Sequence, residues 1–519
     1  MTPTTDTLIL AVTLMTGAIA LAAGLSRWWR VAQRVQYLPG ETLRIERLWL
    51  SRRPFTLALW VVSVAVALVG VFAHTLGVPE LVWLIPLAPL VALWAPWRLP
   101  IRGVTKPLAP TSRLVRLAGV TVFFVALVGS VALFLLGPVG ILVPIFLLAL
   151  LVDAGTAVMW PVERLAQRKF LNQAKEKLRK IGPQIVAVTG SYGKTSTKGY
   201  IAHLAATKYS VLASPASFNN MMGLSQSVNE KLTPGTEVFV AEMGMNQEGR
   251  IRELVNHFPP YISAITVIGE AHMERLGSKE AIFRAKAEIT ENASVAVLPV
   301  DQPELVGLAE KCRSRGTIVV TVSAEGLEAD ISIDPDAGVV RYGPDALPET
   351  IELEGLTHPV NVAVALGIAW ALDIPAELAV PQTKTFPVAA HRTEVAETEN
   401  GVAIIDDTYN SNPMGAKRAV EAAAELAAKR GGKFFVVTPG MVELGPVQHE
   451  RNRQLGEQVT GLGGQLIAVG LTNRRALVDG GGDTTKTFLT RNEAVRFVTE
   501  SATELDVILY ENDLPDHYP

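Results

Sequence analysis

The chain has 519 residues, 49 % of them hydrophobic, and this length allows about two to four domains. Residues 1–160 carry 12 Lys/Arg against 5 Asp/Glu, a net charge of +7, whereas the rest of the chain has a net charge of −10. The basic first part suits anionic lipid headgroups, the acidic remainder argues against a nucleic-acid partner, and the single cysteine excludes an internal disulfide or a cysteine-rich zinc ribbon.

Five apolar stretches occupy the first 160 residues, at about 7–25, 55–73, 81–97, 117–136 and 139–158. The first, second and fourth have the length and lack of charge of bilayer-spanning helices. The third is short and contains Pro86 and Pro89, which favours a kinked or re-entrant segment. The fifth contains Pro144 and follows Gly137 and Pro138 closely, so the last two stretches are expected to form a tight helical hairpin. Buried helices of a soluble domain fit these lengths and charges poorly.

The placement of basic residues predicts the orientation in the membrane. Loops 26–54 and 98–116 are rich in Arg and Lys, whereas the link 74–80 has neither. By the positive-inside rule both basic loops are cytoplasmic, so the N-terminus is outside and the chain after about residue 160 is inside. The first stretch does not resemble a signal peptide, because Asp6 precedes it and no basic residue does.

The remaining residues predict an α/β protein. A charged segment at 161–182 has a helical pattern and predicts a linker helix after the transmembrane domain of residues 1–160. Over 183–386, apolar runs alternate with amphipathic stretches, which predicts a mostly parallel sheet covered by helices. A second alternation over 387–519 predicts a smaller doubly wound domain.

The segment GSYGKTST, from Gly190 to Thr197, follows an apolar strand and precedes a predicted helix at 198–206. A glycine turn that opens a helix offers backbone N–H groups and the positive end of the helix dipole to a phosphate. Lys194 can then reach the terminal phosphates of ATP, and the Thr195 hydroxyl can hold Mg²⁺. The strict pattern requires a further glycine where Val188 stands, so the segment alone also fits a structural glycine turn.

Three further residues are candidates for chemistry. Glu242 ends an apolar strand, where a carboxylate beside a phosphate loop can bind Mg²⁺ or form an ordinary salt bridge. His272 follows a strand predicted at 265–269 and can bind a second metal or cap a loop. Lys286 lies on a predicted helix and would by default be a solvated surface lysine.

Six segments occur in order: TGSYGKTSTK, SFNNMMGLS, EMGMNQEGRI, GEAHMERLGSKEAIFRAKAEI, DDTYNSNP and GMVELGPVQHERN. Together they resemble the Mur ligases over about residues 183–470, most closely the members that add a dipeptide. The resemblance implies a central P-loop ATPase domain and a Rossmann-like C-terminal domain. It also implies that ATP converts a substrate carboxylate to an acyl phosphate, which an amine attacks to give an amide, ADP and phosphate.

The resemblance assigns roles to residues of the central domain. Glu242 contacts the first Mg²⁺, His272 is a ligand of the second metal, and Lys286 matches a lysine that is carbamylated in several members. Asn219 and Asn220 match a pair near the acceptor and the phosphates. The nucleotide and the first metal are held by Gly190, Ser191, Gly193, Lys194, Thr195 and Ser196.

The resemblance also assigns roles to the C-terminal domain. Arg392 matches an arginine that reaches the ATP phosphates when the domains close. Asp407 matches a nucleotide-binding residue near the domain joint, and Asn410 and Asn412 are weaker matches. The same turn fits a helix N-cap at Asn412, with Pro413 opening the helix, and both interpretations can hold together.

The chain departs from the family in three places. Asn361 matches an adenine-contacting position, but its spacing from His358 is altered. Apolar helices stand where soluble members carry a domain for the UDP-sugar precursor. Glu511 and Asp513 replace a Lys-Gly-Ser segment that helps to hold substrate, so recognition of the same ligand is in doubt.

We therefore predict a membrane-anchored, ATP- and Mg²⁺-dependent amide ligase of the bacterial plasma membrane, with cytoplasmic catalytic domains. It is expected to add an amino acid or dipeptide to a peptidoglycan-type carboxylate acceptor, presented at the bilayer on a lipid. A poly-γ-glutamate-type polymer synthase is an alternative, and DDTYNSNP and GMVELG count against it. A non-catalytic, ATP-binding scaffold for envelope enzymes is a second alternative, and it would need no metal ligands.

Overall fold

The computed structural model describes residues 3–101, 108–215, 218–343, 348–351, 353, 358–387, 394–408 and 411–513. The chain divides into two compact units, which meet in sequence between Gln167 and Arg168.

The first unit is helical. Its helices are α1 (Pro3–Arg34), α2 (Glu41–Arg52), α3 (Pro54–Thr75), α4 (Pro79–Val82), α5 (Leu84–Ala92), α6 (Ser112–Leu136), α7 (Leu142–Phe146) and α8 (Leu148–Ile181). Helix α8 runs without interruption through the boundary predicted at residue 160 and continues into the second unit.

The second unit contains the remaining helices and all the described strands. The helices are α9 (Lys194–Ala205), α10 (Met221–Lys231), α11 (Arg250–His257), α12 (Met273–Leu276), α13 (Lys279–Ala287), α14 (Pro303–Ser314), α15 (Pro359–Ala371), α16 (Ala376–Ala379), α17 (Pro413–Arg430), α18 (Gln448–Gly461), α19 (Arg474–Gly481) and α20 (Arg491–Ser501). The strands are β1 (Gln184–Thr189), β2 (Val211–Ala213), β3 (Val238–Glu242), β4 (Ile262–Ile265), β5 (Val295–Pro299), β6 (Ile318–Ser323), β7 (Ile331–Asp334), β8 (Val339–Tyr342), β9 (Glu349–Thr350), β10 (Glu394–Glu397), β11 (Ala403–Asp407), β12 (Phe434–Thr438), β13 (Gln465–Val469), β14 (Lys486–Phe488) and β15 (Val507–Glu511).

The five apolar stretches predict about five spans, and fewer candidate spans are found in the structure. Among the described residues, three stretches have the length and hydropathy to cross a membrane: Thr5–Arg34, Pro54–Thr75 and Ser112–Phe146. The third predicted stretch forms the short helices α4 and α5, which break at Trp83 and are interrupted further by Pro89. The fifth is divided between a 3₁₀ turn, α7 and the start of α8. Proline explains both breaks, because it cannot donate to the helical ladder and it crowds the preceding turn.

The expected hairpin is present. Three contacts join α6 to the chain that follows it: Ala132 lies against Gly140, Gly129 against Pro144, and Leu117 against Gly155. Earlier residues of α6 thus meet later residues of the following chain, as in an antiparallel pair. Farther along, Arg116 of α6 donates to Glu163 of α8 through Nε at 2.9 Å and Nη2 at 2.6 Å. The turn after α6 therefore reverses the chain and returns α8 antiparallel to it.

The helices of the first unit expose apolar surface. Phe72 on α3 is 63 % exposed and Phe134 on α6 is 88 % exposed, and many Leu and Val side chains of these helices are exposed as well. A contiguous surface of this kind is expensive in water and favourable in hydrocarbon. The exposed faces are therefore those expected of helices surrounded by lipid.

The first sheet of the second unit positions the candidate site. Its nine described strands lie in the order β2-β3-β1-β4-β5-β6-β7-β8-β9, and β1 to β6 are parallel. Val188 of β1 is in register with Glu242 of β3, and Thr189 is in register with Ile265 of β4. Because these three strands end at one edge, the loops that follow them converge there. The predicted parallel sheet is confirmed.

The second sheet is smaller and also mostly parallel. Its six described strands lie in the order β10-β11-β15-β12-β13-β14, and only β10 is antiparallel to its neighbour. The predicted N-cap at Asn412 is confirmed, since its side chain accepts from the Gly415 N–H at 2.8 Å and Pro413 opens α17. The predicted doubly wound arrangement is therefore present.

Glu511 ends the central strand of this sheet and is fully buried. The hydroxyls of Ser411 and Thr438 donate to its two carboxylate oxygens. Burial, with a smaller effect of the nearby Asp407 charge, raises its pKa to about 7 against the opposing effect of those hydrogen bonds. The carboxylate that replaces the expected lysine is thus part of the fold and joins the ends of three neighbouring segments.

One face of the first sheet is covered by α15, which is apolar on nearly all sides. Gly367 of α15 lies directly on the sheet, where a Cβ atom would come within 2.6 Å of Val322 and 2.8 Å of Val297. Gly307 of α14 offers a contrast, because a Cβ atom there meets open space.

We expect Gly367→Ala to lower the stability of the second unit by about 1–3 kcal/mol, because the methyl group overpacks a close contact. Gly307→Ala should raise it by about 0.5–1 kcal/mol, since alanine loses less backbone entropy in a helix. The measurement is the thermal unfolding midpoint of the full-length protein in detergent. Equal shifts in the two variants would contradict the packing of α15.

Candidate active site

The segment 190–193, called the phosphate loop below, connects β1 to α9. Helix α9 begins at Lys194, four residues before the predicted start at Lys198, because Gly193 adopts a left-handed φ of 78° and turns the chain directly into the helix. A side chain at Gly193 would overlap the amide of Asn361. The loop is therefore tightly wound, with Lys194 to Ser196 in the first turn of the helix.

Two lysines meet at one carbonyl oxygen of this loop. Lys194 Nζ donates to Gly190 O at 2.8 Å, and Lys286 Nζ donates to the same oxygen at 2.9 Å. Lys286 is only 2 % exposed, so the prediction of a solvated surface lysine is wrong. Burial, with a smaller effect of the Lys194 charge, holds the pKa of Lys286 well below its usual range. Lys194 and the buried amine of Lys286 therefore share one acceptor at the start of α9.

Glu242 lies at the adjacent strand end and is 1 % exposed. Its Oε2 accepts from the Thr195 hydroxyl at 3.0 Å and from Lys198 Nζ at 3.1 Å. Its Oε1 accepts from the Asn219 side chain at 3.1 Å. The structure thus brings together Thr195, Glu242 and Asn219, which come from three separate segments.

Lys198 is a site residue that the sequence interpretation missed. It is buried at 5 % exposure and forms an ion pair with Glu242. The signal was available, because residues four apart share one face of a helix and Lys198 lies four residues after Lys194. The same spacing places two lysines on the side of α9 that faces the strand ends.

The loop after β4 is held against the phosphate loop. Strand β4 ends at Ile265 rather than at the predicted Gly269, and the chain from 266 to 272 is irregular. Ser191 Oγ accepts from the Gly269 N–H at 2.8 Å, and the Tyr192 hydroxyl accepts from the Glu270 N–H at 2.8 Å. Side chains of the phosphate loop therefore fix the segment that carries His272.

His272 faces a residue of the second sheet's loops. Its Nδ1 lies 2.8 Å from Oε2 of Glu443, and its backbone has a left-handed φ of 66°. The side chain keeps 30 % of its surface exposed, yet it is crowded enough that burial lowers its pKa below the usual value, while the hydrogen bond to Glu443 opposes that shift. The predicted second-metal ligand is thus within hydrogen-bonding distance of a carboxylate.

The other predicted site residues lie in different parts of the second unit. Asn220 is exposed and caps α10, since its side chain accepts from the Gly223 N–H at 2.9 Å. Asn361 is 3 % exposed and lies against Gly193, so it is part of the wall of the loop. Asp407 ends β11 beside Glu511 in the second sheet. Arg392 and Asn410 lie outside the described residues.

The donor atoms at the first sheet suit a hard divalent cation. The Thr195 hydroxyl and the Glu242 carboxylate are 3.0 Å apart, and both are oxygen ligands of the kind that Mg²⁺ prefers. Among the described residues, no group of three or more His, Cys, Asp and Glu side chains could enclose a metal by itself. Mg²⁺ usually binds through one or two protein ligands plus substrate phosphates, so this donor set fits Mg²⁺ held jointly with a nucleotide.

Comparison with known families agrees with this geometry. Residues 188–369 match the Mur ligase middle domain, and residues 391–510 match the domain described as "Mur ligase, glutamate ligase domain". Apart from the first four residues of β1 and Glu511 at the end of β15, both sheets lie within the matched regions.

Several similar proteins carry the name UDP-N-acetylmuramoyl-tripeptide--D-alanyl-D-alanine ligase. The protein from Bacillus subtilis is 30 % identical over 353 residues, which are 65 % of this chain and 75 % of that protein. The protein from Mycobacterium leprae is 30 % identical over 63 % of this chain and 66 % of its own length. The protein from Rickettsia prowazekii is 42 % identical over a shorter region, 47 % of this chain and 56 % of its own length. The chain thus spans between about half and three quarters of these relatives.

Solved structures of Mur ligases have a fold similar to that of this chain. MurF from Thermotoga maritima in complex with ADP has a TM-score of 0.56 and 25 % identity, covering 66 % of this chain and 80 % of that one. MurF from Acinetobacter baumannii has a TM-score of 0.56 at 22 % identity, covering 66 % of this chain and 77 % of that one. Given these matches, the chain belongs to the Mur ligase family, whose members are ATP-dependent ligases.

Proposed function

We propose that this protein is a membrane-anchored ligase that uses ATP and Mg²⁺ to activate a carboxylate as an acyl phosphate and joins it to an amine. The observation that carries the proposal is the meeting of Lys194 and Lys286 at the carbonyl of Gly190. The Lys194 ammonium is held at this oxygen beside the buried amine of Lys286, and the terminal phosphates of ATP are an anion that can neutralise its charge.

Each side chain of the site has a role in this scheme. Lys194 and the N–H groups at the start of α9 bind the transferring phosphoryl group and stabilise its charge. Thr195 and Glu242 hold the first Mg²⁺, which neutralises charge on the phosphates, and His272 contributes to a second metal. Lys198 forms an ion pair with the buried Glu242 carboxylate, and Asn219 donates to its second oxygen.

Lys286 is suited to carbamylation. Carbamylation needs a neutral amine, whose nitrogen attacks CO₂ and loses a proton to give a carbamate. Burial favours the neutral form of this lysine, because the charged form is poorly solvated there. A carbamate at Lys286 would turn a cation into an anion near His272, and so supply the oxygen ligand for the second metal.

The acceptor is proposed to be a muramoyl-peptide-type precursor. The relatives named above are ligases that join D-alanyl-D-alanine to a UDP-N-acetylmuramoyl-tripeptide. In this chain apolar helices precede the ligase domains, and their exposed faces suit a bilayer. A ligase held at the membrane would meet a lipid-linked acceptor at raised effective concentration, and such an acceptor needs no domain that grips a nucleotide. The amine is an amino acid or a dipeptide.

The assays below distinguish this function from two others. A poly-γ-glutamate-type synthase would extend a chain of one amino acid without a muramoyl acceptor. A scaffold would bind ATP, but no acceptor would stimulate turnover.

We expect Lys194→Met and Glu242→Gln each to lower acceptor-stimulated ATP hydrolysis by at least about 100-fold, since each removes charge stabilisation from the transferring phosphoryl group. Lys231→Met, which changes an exposed lysine at the end of α10, is the matched control and should keep full activity. Phosphate release by the detergent-solubilised protein measures the effect. Acceptor-stimulated turnover that survives Lys194→Met would contradict the site.

Activity should depend on dissolved CO₂. In CO₂-free buffer we expect ligation to fall and bicarbonate to restore it, and ¹³C-bicarbonate should give a carbamate signal by NMR that is absent in Lys286→Ala. Because the Lys286 pKa is depressed, the amine stays neutral at lower pH than an ordinary lysine, and the signal should vanish only when pH falls through that depressed value. Full activity without CO₂, with no carbamate signal, would exclude carbamylation.

The acceptor can be identified by competition. We expect the protein, reconstituted in nanodiscs, to ligate a lipid-linked muramoyl-peptide at least about tenfold faster than the same peptide linked to UDP, because both partners share the bilayer. Product formation is followed by mass spectrometry with D-alanyl-D-alanine and single amino acids as amines. Equal rates on the two acceptors would count against presentation at the membrane.

A further inference from the structure

Glu443 is the residue through which the second sheet's loops reach the candidate site. It lies in the segment after β12, and its Oε2 is 2.8 Å from Nδ1 of His272. Its backbone carbonyl accepts from the Glu274 N–H at 3.1 Å, so both its side chain and its main chain contact the segment around His272. Arg275 lies 3.7 Å from its other carboxylate oxygen.

Both members of the pair have unusual backbones. His272 has a φ of 66° and Glu443 a φ of 65°, and the left-handed region is unfavourable for side chains of this size. Backbone of this kind persists only where surrounding contacts hold it. On one side the phosphate loop holds the segment 269–272, and on the other the segment of Glu443 supports it.

A neighbouring ion pair joins the same two segments. Arg451 of α18 donates to both carboxylate oxygens of Glu270, with Nε to Oε2 at 2.7 Å. The backbone of Gly445 also approaches that of Glu274. The docking of the second sheet's loops on the segment 270–274 therefore has several contacts, one of which is the contact of Glu443 with His272.

The hydrogen bond between Glu443 and His272 selects a tautomer of the imidazole. An ionised carboxylate can only accept a hydrogen bond, so Nδ1 of His272 carries the shared proton in this pair. Nε2 then holds the lone pair that a metal needs. Histidines that bind metals commonly donate their other N–H to a carboxylate, which fixes the ring and makes it a better ligand.

We propose that Glu443 is a positioning residue that orients His272 and presents its Nε2 to the second cation, so that this cation site is completed only when the 387–513 part docks on the 270–274 segment. The inference rests on the proposed function, since that function supplies the cation. It follows that cation binding and docking strengthen each other by the same factor, because coupling between two equilibria is reciprocal.

The test measures cation binding directly. Full-length protein in detergent is titrated with Mn²⁺ in the presence of a non-hydrolysable ATP analogue, and free Mn²⁺ is followed by electron paramagnetic resonance. We expect two Mn²⁺ to bind, and Glu443→Ala to weaken only one of them, by about 10–100-fold. Glu443→Gln keeps the shape of the side chain but offers a neutral acceptor, so its loss should be smaller than that of Glu443→Ala.

Two further variants separate positioning from docking. Arg451→Met removes the neighbouring ion pair but no contact to His272, and it should keep both Mn²⁺ affinities within about threefold of the original. In a His272→Ala background, Glu443→Ala should cause no additional loss, because residues that act through one interaction are not additive.

A second readout tests the coupling. Spin labels at Glu310→Cys and Arg475→Cys, on exposed positions of α14 and α19, report the distance between the two sheets, and the native Cys312 is buried and does not compete for label. Mn²⁺ with the nucleotide analogue should narrow this distance distribution in the original protein and not in Glu443→Ala.

The outcomes are distinct. Two Mn²⁺ bound with unchanged affinity in both Glu443→Ala and Glu443→Gln would overturn the positioning role and leave the ligase function intact. An equal loss in Arg451→Met would also overturn it, since docking alone would then explain the effect. If the original protein binds neither the analogue nor Mn²⁺, the proposed function and this inference both fall.

Discussion

A buried carboxylate must be matched by donors, and the arrangement at the end of β3 is built around that requirement. Glu242 is 1 % exposed, and an isolated charge at such a position would be costly. Thr195 and Lys198 from α9 satisfy one oxygen, and Asn219 satisfies the other. The positions of the phosphate loop, of α9 and of the segment before α10 are therefore linked through one side chain. The proposed phosphate and cation site lies at this edge of the sheet.

The second constraint is the close packing of loops at that edge. The phosphate loop holds the segment after β4 through Ser191 and Tyr192, and this segment in turn contacts Glu443 near the second sheet. Phosphoryl transfer requires charges placed before the reaction begins, because rearrangement during the reaction would cost part of the stabilisation. A chain of contacts from the phosphate loop to His272 and on to Glu443 is a physical means of meeting that requirement.

The helical unit differs from the second unit in the apolar surface that it exposes. Its helices expose Phe and Leu side chains that a soluble protein would bury, whereas the second unit buries its apolar residues on both faces of the first sheet. Prolines interrupt the third and fifth apolar stretches, and three candidate spans are found among the described residues. The unit that exposes apolar side chains is thus the one that contains the candidate spans.

The sequence by itself determined the features that depend on neighbouring residues. The alternation of strands and helices, the phosphate loop, the N-cap at Asn412 and the ends of most strands follow from local periodicity and turn chemistry. Only the tertiary structure decided the burial of Lys286, which meets Gly190 across 96 residues, and the contact of His272 with Glu443 across 171 residues. A helical lysine is solvated or buried according to what packs on it, and no local pattern contains that information. The sequence thus predicted that the candidate site residues lie at the ends of strands. The packing of distant segments decided which of their charged side chains contact each other.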